Sequence, residues 1–155
     1  MEAWRICQRR YVKEAFGGKG AFEFGGRWNS PGENVVYCAT TLSLAALELF
    51  VNLDVIEAPD DLVAIHAEFP NDLLVERWMQ NELPHNWRDS PPPKVIRDLG
   101  TEWLKSLRTA ALLVPSAVIP EDFNLLLNPL HPDFQKLKIG KPRPFRFDPR
   151  MWKQR

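Results

Sequence analysis

Val35-Val36-Tyr37-Cys38-Ala39, opened by a Pro31-Gly32 turn and followed by Thr41-Leu42-Ser43-Leu44-Ala45-Ala46-Leu47-Glu48-Leu49-Phe50-Val51-Asn52-Leu53, is the stretch on which the fold turns. Its first part is β-branched and aromatic, the composition of a short buried strand. Its second part is built from good helix formers behind a threonine that can cap the first turn, and it is apolar on nearly every side, which predicts a central helix. On either side this unit does not repeat as regular βαβ. Ala3–Gln8 is a second short apolar strand candidate, and in Leu62–Phe69 the residues Val63, Ile65, Ala67 and Phe69 share one face while His66 and Glu68 take the other. Lys94–Leu107 carries Val95, Ile96, Leu99, Trp103, Leu104 and Leu107 at helical spacing, with Gly100 as an interruption in its middle. Ala110–Ile119, Asn124–Asn128 and Phe145–Asp148 read as further strands. Many short strands with two or three helices predict an α+β fold, one mixed α/β domain over residues 1–155, and exclude a doubly wound parallel sheet.

The 155 residues suffice to bury a core without disulfides or metals. At 45% apolar and 26% charged the chain is globular, and no run approaches the roughly 18 apolar residues of a membrane span. Cys7 and Cys38 are too few for a disulfide framework, and the first residues lack the apolar run of a secretory signal, so a cytoplasmic protein with packed thiols is expected. Twenty Lys and Arg balance twenty Asp and Glu. That argues against bulk attraction to nucleic acid or to an anionic membrane. The balance conceals a segregation. Residues 135–155 carry eight basic residues against Asp148, a net of +7. Between Arg27 and Arg77 there is no Lys or Arg, while nine acids occur: Glu33, Glu48, Asp54, Glu57, Asp60, Asp61, Glu68, Asp72 and Glu76. The basic end either folds across the acidic body or serves as a partner or anion site.

Several chemistries are absent. Gly17-Gly18-Lys19-Gly20 lacks the spacing and hydroxyl of a P-loop, no Gly-x-Ser-x-Gly occurs, and His66, His85 and His131 are too scattered for a metal site or a histidine-based triad. No metal and no bound cofactor are expected.

Three features resist a purely structural reading. Gly25-Gly26-Arg27-Trp28-Asn29 follows Gly17-Gly18-Lys19-Gly20-Ala21, so five glycines in ten residues permit close backbone approach beside an arginine that can grip an anion. A glycine-rich turn with a solvated arginine is the structural alternative. Glu48 is the only charge in its helix, with Leu44, Ala45, Val51 and Asn52 as helical neighbours, so it is expected to be partly buried and to have a partner. Spacing alone leaves open a structural ion pair with an arginine or an acid/base or electrostatic role. In Val114-Pro115-Ser116-Ala117-Val118 a hydroxyl follows a proline inside an apolar strand, which predicts an edge or bulge that re-aims Ser116, or else a serine bonded to its own strand.

Taken in order, Trp4-Arg5, Gly20-Ala21, Gly25-Gly26-Arg27-Trp28-Asn29, Val35-Val36-Tyr37, Ala45-Ala46-Leu47-Glu48, Val114-Pro115-Ser116-Ala117, Asn128-Pro129 and Phe147-Asp148-Pro149-Arg150 resemble the RES-domain toxins of bacterial toxin–antitoxin pairs, over about residues 3–151. The resemblance implies a mixed α/β fold similar to ADP-ribosyltransferases and an activity that lowers cellular NAD by hydrolysis or phosphorolysis. Some members are described as transferring ADP-ribose to a protein. It also implies an Xre-like antitoxin as partner, and it admits a homodimer within that complex. Carried over by motif, Arg27, Tyr37, Glu48 and Ser116 form the expected catalytic set, and Arg5 and Asn128 join Arg27, Tyr37 and Ser116 as expected NAD-binding residues.

Residue chemistry is compatible with that role. Cleaving the nicotinamide–ribose bond creates oxocarbenium character, which a carboxylate such as Glu48 stabilises. A pyrophosphate needs fixed cations and close amides, as Arg27 in its Gly-Gly setting offers, aided by Arg5. Tyr37 can stack on the nicotinamide ring. Ser116 can bond a phosphate or hold Glu48; the sequence leaves both open, and it leaves open whether Arg27 and Glu48 pair. Nicotinamide leaves as a neutral group, so no strong general acid is required. Two readings from other classes are a nucleic-acid-binding or nuclease toxin using the basic tail with Phe147 and Trp152, and a binding module without turnover.

Overall fold

Pairing between segments distant in sequence builds the sheet. The computed structural model describes residues 1–53 and 59–152; Asp54 and Glu57 of the acidic tract and Lys153 and Arg155 of the basic end lie outside them. The strands are β1 (Glu2–Gln8), β2 (Val36–Ala39), β3 (Leu62–Glu68), β4 (Val75–Arg77), β5 (Ala111–Pro115), β6 (Phe123–Leu127), β7 (Lys138–Ile139) and β8 (Arg143–Pro144). Their order is β4-β5-β6-β2-β1-β3-β7, with β8 also paired to β3. β4 and β5 run parallel, joined through the long helix α3 (Lys94–Ser106), and the other pairs are antiparallel. This is the α+β architecture that the scatter of short strands predicts.

Side-chain alternation divides the sheet into two faces. Ala3, Val36, Cys38, Ile65, Ala67, Ala111, Leu125 and Leu127 pack on one face with Ala15, Phe16 and Phe69. On the other, Leu112, Val114 and Leu126 meet Ile96, Trp103 and Leu104 of α3 together with Trp28, Val35 and Trp87. Helix α2 (Leu42–Phe50) covers Trp4, Ile6 and Ala39 on that second face through Leu44 and Ala45. Thr41 caps it as the sequence predicts, its hydroxyl accepting from the Leu44 N–H at 3.1 Å. α2 is less central than its composition implies: Leu44 and Ala45 alone are fully buried. Its far end is covered instead by the C-terminal aromatics, Phe50 lying 5.9 Å from Phe147 and 5.2 Å from Trp152 between ring centroids.

Three expectations need correction. The strand expected over Ala110–Ile119 stops at Pro115, because the chain then turns, with Ser116 N–H donating to Asp122 O and Asp122 N–H to Ile119 O, both at 2.9 Å. Pro115 stands past the residues that β4 covers, Ala111–Leu113, so the edge environment is local to the end of an interior strand. The strand expected over Phe145–Asp148 is displaced to Arg143–Pro144. Phe145 adds one bond to Leu62 O at 2.9 Å, and Phe147 turns toward the aromatic cluster on α2. The glycine-rich segment is more than a turn. It holds the short helix α1 (Lys19–Phe24) between Gly18 and Gly25, whose φ values of 73° and 70° require glycine. Those glycines face the protein itself: a Cβ at Gly18 would stand 2.8 Å from Val35 N, and one at Gly26 would stand 2.6 Å from the Tyr37 hydroxyl.

The described part of the basic end folds across the body, since β7 and β8 both join β3. Arg143 lies over the Trp4 ring, 5.0 Å from its centroid, while Lys136 and Arg150 pair locally with Asp133 and Asp148. No helix among the described residues is long and apolar enough to cross a membrane.

Candidate active site

A cleft of about 910 Å³ opens on the sheet face that carries both α2 and α3. Trp4, Ile6, Tyr37, Ala39 and Asn124 contribute from the strands, Ala45, Glu48 and Leu49 from α2, Lys94 and Arg97 from α3, and Gly25, Gly26 and Arg27 from the glycine-rich segment. Size and mixed apolar and polar lining suit a nucleotide-sized ligand.

Glu48 is partly buried, as its helix predicts, but its partners are neutral. Its Oε1 accepts from the Ser116 hydroxyl at 2.7 Å and from Asn124 Nδ2 at 2.5 Å. Both donors converge on one oxygen, which orients the carboxylate and leaves Oε2 outside these bonds. Ser116 is fully buried, and its oxygen also accepts from the N–H groups of Val118 and Ile119, each at 3.0 Å. One donor and two acceptors exhaust a serine hydroxyl. Of the two roles the sequence leaves open, the geometry is that of holding Glu48.

That economy predicts the cost of removing it. Ser116→Ala strands two part-buried N–H groups in the turn after β5, and we expect about 1–2 kcal/mol of lost stability, read from denaturant unfolding. Ser116→Thr, which keeps the oxygen, is expected to lose less.

Arg27 is half-buried, and its Nη1 donates to Trp87 O at 2.8 Å and Asp89 O at 2.9 Å. It makes no ion pair among the described residues, Glu48 included. Burial lowers its pKa, with the field of Glu48 opposing that shift. Arg5 is similar: Nη1 donates to Tyr37 O at 2.7 Å, and its buried Nε has no hydrogen-bond partner among the described residues. Among the described residues both guanidinium groups are held by carbonyl oxygens and paired with no carboxylate, an arrangement suited to an incoming anion.

Tyr37 lines the cleft. Its hydroxyl donates to Asn29 Oδ1 at 2.7 Å and accepts from Trp28 N–H at 3.0 Å, and burial pushes its pKa well above the ordinary value. The hydroxyl is spent on the Trp28–Asn29 turn. Asn128 is not brought into the cleft. It is buried beneath the end of α3, where Nδ2 donates to Leu104 O at 2.9 Å and Oδ1 accepts from Leu130 N–H at 3.1 Å. Asn124, at the opposite end of β6, is the asparagine that reaches Glu48. The two are four residues apart and share a face by alternation, so the sequence holds no signal that separates them.

A second connection was invisible in the sequence. Arg88 donates through Nε and Nη2 to Ala117 O at 3.1 and 3.0 Å, while the carbonyls on either side of it hold Arg27. The Trp87–Asp89 segment thus straps the Arg27 turn to the Ser116 turn. Cys38 is buried, its thiol pushed up to about 12, and no group of His, Cys, Asp and Glu among the described residues is arranged to hold a metal ion.

Fold and site together define a class: an α+β domain whose cleft sets one oriented carboxylate against unneutralised guanidinium groups. The chain matches the RES domain family over residues 2–148. It is 41% identical over 154 residues to Toxin Res of Yersinia enterocolitica serotype O:8 / biotype 1B, covering 97% of this chain and 99% of that protein. It is also 40% identical over 152 residues to the Prs ADP-ribosylating toxin of Sphingobium sp. (strain YBL2), covering 96% and 94%. In fold it resembles a chain in the crystal structure of the M. tuberculosis MbcT–MbcA toxin–antitoxin complex, with a TM-score of 0.73 over 97% of this chain and 86% of that one, at 17% identity. The chain belongs to the RES-domain family of toxins.

Proposed function

We propose that this protein is the cytoplasmic toxin of a toxin–antitoxin pair, that it cleaves the nicotinamide–ribose bond of NAD, and that an Xre-like antitoxin restrains it. The observation that carries the reading is Glu48 in the cleft, one oxygen fixed by Ser116 and Asn124 and the other outside those bonds. In the reaction the C–N bond to nicotinamide breaks and its electron pair leaves with the neutral base. Positive charge grows on the ribosyl carbon and its ring oxygen, where a fixed carboxylate stabilises it without reorganising. An acceptor oxygen then bonds to that carbon and loses its proton to solvent. Arg27 and Arg5 hold the pyrophosphate, and the Tyr37 ring is the platform for nicotinamide.

Water and phosphate are the acceptors we favour. Transfer to a protein is the second reading, supported by the name of the Sphingobium relative. One experiment separates the three. The protein is incubated with NAD, with and without phosphate, and the products are followed by NMR, while labelled NAD is tested for transfer to protein. Free nicotinamide with ADP-ribose indicates water, ADP-ribose carrying a new 1-phosphate indicates phosphate, and label on a protein indicates transfer. Intact NAD in every arm overturns the reading.

A further inference from the structure

Arg97 is a cleft residue for which the mechanism above has no task. It stands one turn into α3, half-buried, and its Nη1 donates to Pro92 O at 2.7 Å. It makes no ion pair among the described residues, whereas Lys94 on the same helix is 2.6 Å from Asp98. Arg97 therefore repeats the pattern of Arg5 and Arg27, a guanidinium held by a main-chain carbonyl and left uncompensated. Such a group has given up part of its hydration and received no counter-charge, and a bound anion supplies one.

Its position sets it on a different wall of the cleft from Glu48. Glu48 belongs to the α2 wall and is held by the turn after β5 and the start of β6. Arg97 belongs to the α3 wall, which docks on the Trp28–Ser30 segment through Ser30 N–H and Thr101 Oγ1 at 3.0 Å. Arg27 lies between: it feels the field of Glu48, and its carbonyl partners Trp87 and Asp89 lead into Pro92, the residue that holds Arg97. A dinucleotide whose nicotinamide ribose lies at Glu48 and whose first phosphate meets Arg27 would run its remaining half toward α3.

We propose that Arg97 is a second phosphate-binding arm, taking the adenosine-side phosphate of the dinucleotide and so selecting a dinucleotide over a mononucleotide. This rests on the NAD reading above and adds a specificity-determining residue to it.

The test compares two ligands on the whole protein. ADP-ribose carries both phosphates, and nicotinamide mononucleotide carries only the first. Binding is measured by calorimetry for the wild type, Arg97→Gln and Arg97→Lys, with thermal unfolding to verify folding. Arg97→Gln is expected to weaken ADP-ribose by about tenfold or more, as loss of a charged hydrogen bond does. Arg97→Lys, which keeps charge without the planar fork, is expected to weaken it less. Nicotinamide mononucleotide should change by less than roughly twofold in both variants, since the contact it lacks cannot be lost. Equal weakening of both ligands, or of neither, overturns the proposal. Wild type that releases nicotinamide from NAD while Arg97→Gln binds ADP-ribose normally overturns the second arm alone; wild type that binds neither ligand overturns the NAD reading and the arm together.

Discussion

Glu48→Gln is expected to reduce nicotinamide release from NAD by about a hundred- to a thousandfold, the scale of removing one preorganised electrostatic group from a reacting centre. The substitution is chosen for what it keeps. A glutamine carbonyl oxygen in the place of Oε1 still accepts from Ser116 and Asn124, so the side chain stays oriented and α2 keeps its packing. What disappears is the negative charge that, in the proposed mechanism, meets the developing oxocarbenium. The loss should therefore fall on kcat, with KM within a few fold and the unfolding midpoint near that of the wild type. A Glu48→Gln protein that cleaves NAD at the normal rate would remove the carboxylate from the mechanism, whatever its effect on folding.

Gly100→Ala is expected to cost about 3 kcal/mol or more, a fall in melting temperature of roughly 6–12 °C for a chain of this length. A Cβ at Gly100 would lie 1.7 Å from Trp28 O and 2.7 Å from Trp28 C. Both are main-chain atoms that no rotamer change can move aside. α3 would have to back away from the Trp28–Ser30 segment, breaking the Ser30–Thr101 bond and loosening the turn that presents Arg27. Gly20→Ala is the control. It lies inside α1 with no atom within 4 Å of its Cβ position, so alanine there should be neutral or stabilising by up to about 1 kcal/mol. Equal stabilities for the two variants would contradict the backbone-to-backbone docking of α3.

Gly100 also shows where the sequence is legible. Periodicity predicts a helix over Lys94–Leu107, and α3 runs from Lys94 to Ser106. Propensity marks Gly100 as a flaw in that helix, because propensity sees one segment at a time; the reason for the glycine lies 72 positions earlier, at Trp28. The same limit recurs at the site. That Glu48 is partly buried and partnered follows from its helical neighbours, yet the identity of its partners depends on the register of β5 against β6, which places Ser116 and Asn124 together. Arg27, Tyr37 and Arg5 are brought into the cleft as their motifs imply. Asn128 is not, since alternation fixes the face of a strand and says nothing about which end of it a helix will cover. Arg97 belongs to the polar side of an amphipathic helix in sequence, and only the packing of α3 on Trp28 turns part of that side toward the cleft.

The sheet order also bears on when, during synthesis, the site can form. β2 carries Tyr37 and precedes Glu48, but its outer neighbour is β6, with Val36 opposite Leu127. The turn bearing Ser116 and the strand bearing Asn124 are synthesised long after the carboxylate they hold. A nascent chain on the ribosome must therefore expose residue 124 before Glu48 can be oriented, and pairings of such large sequence separation close slowly. Prematurely terminated products shorter than that would hold Glu48 and Arg27 without the groups that align the carboxylate. The carboxylate and the two donors that hold it thus come together only in a chain that is four-fifths complete.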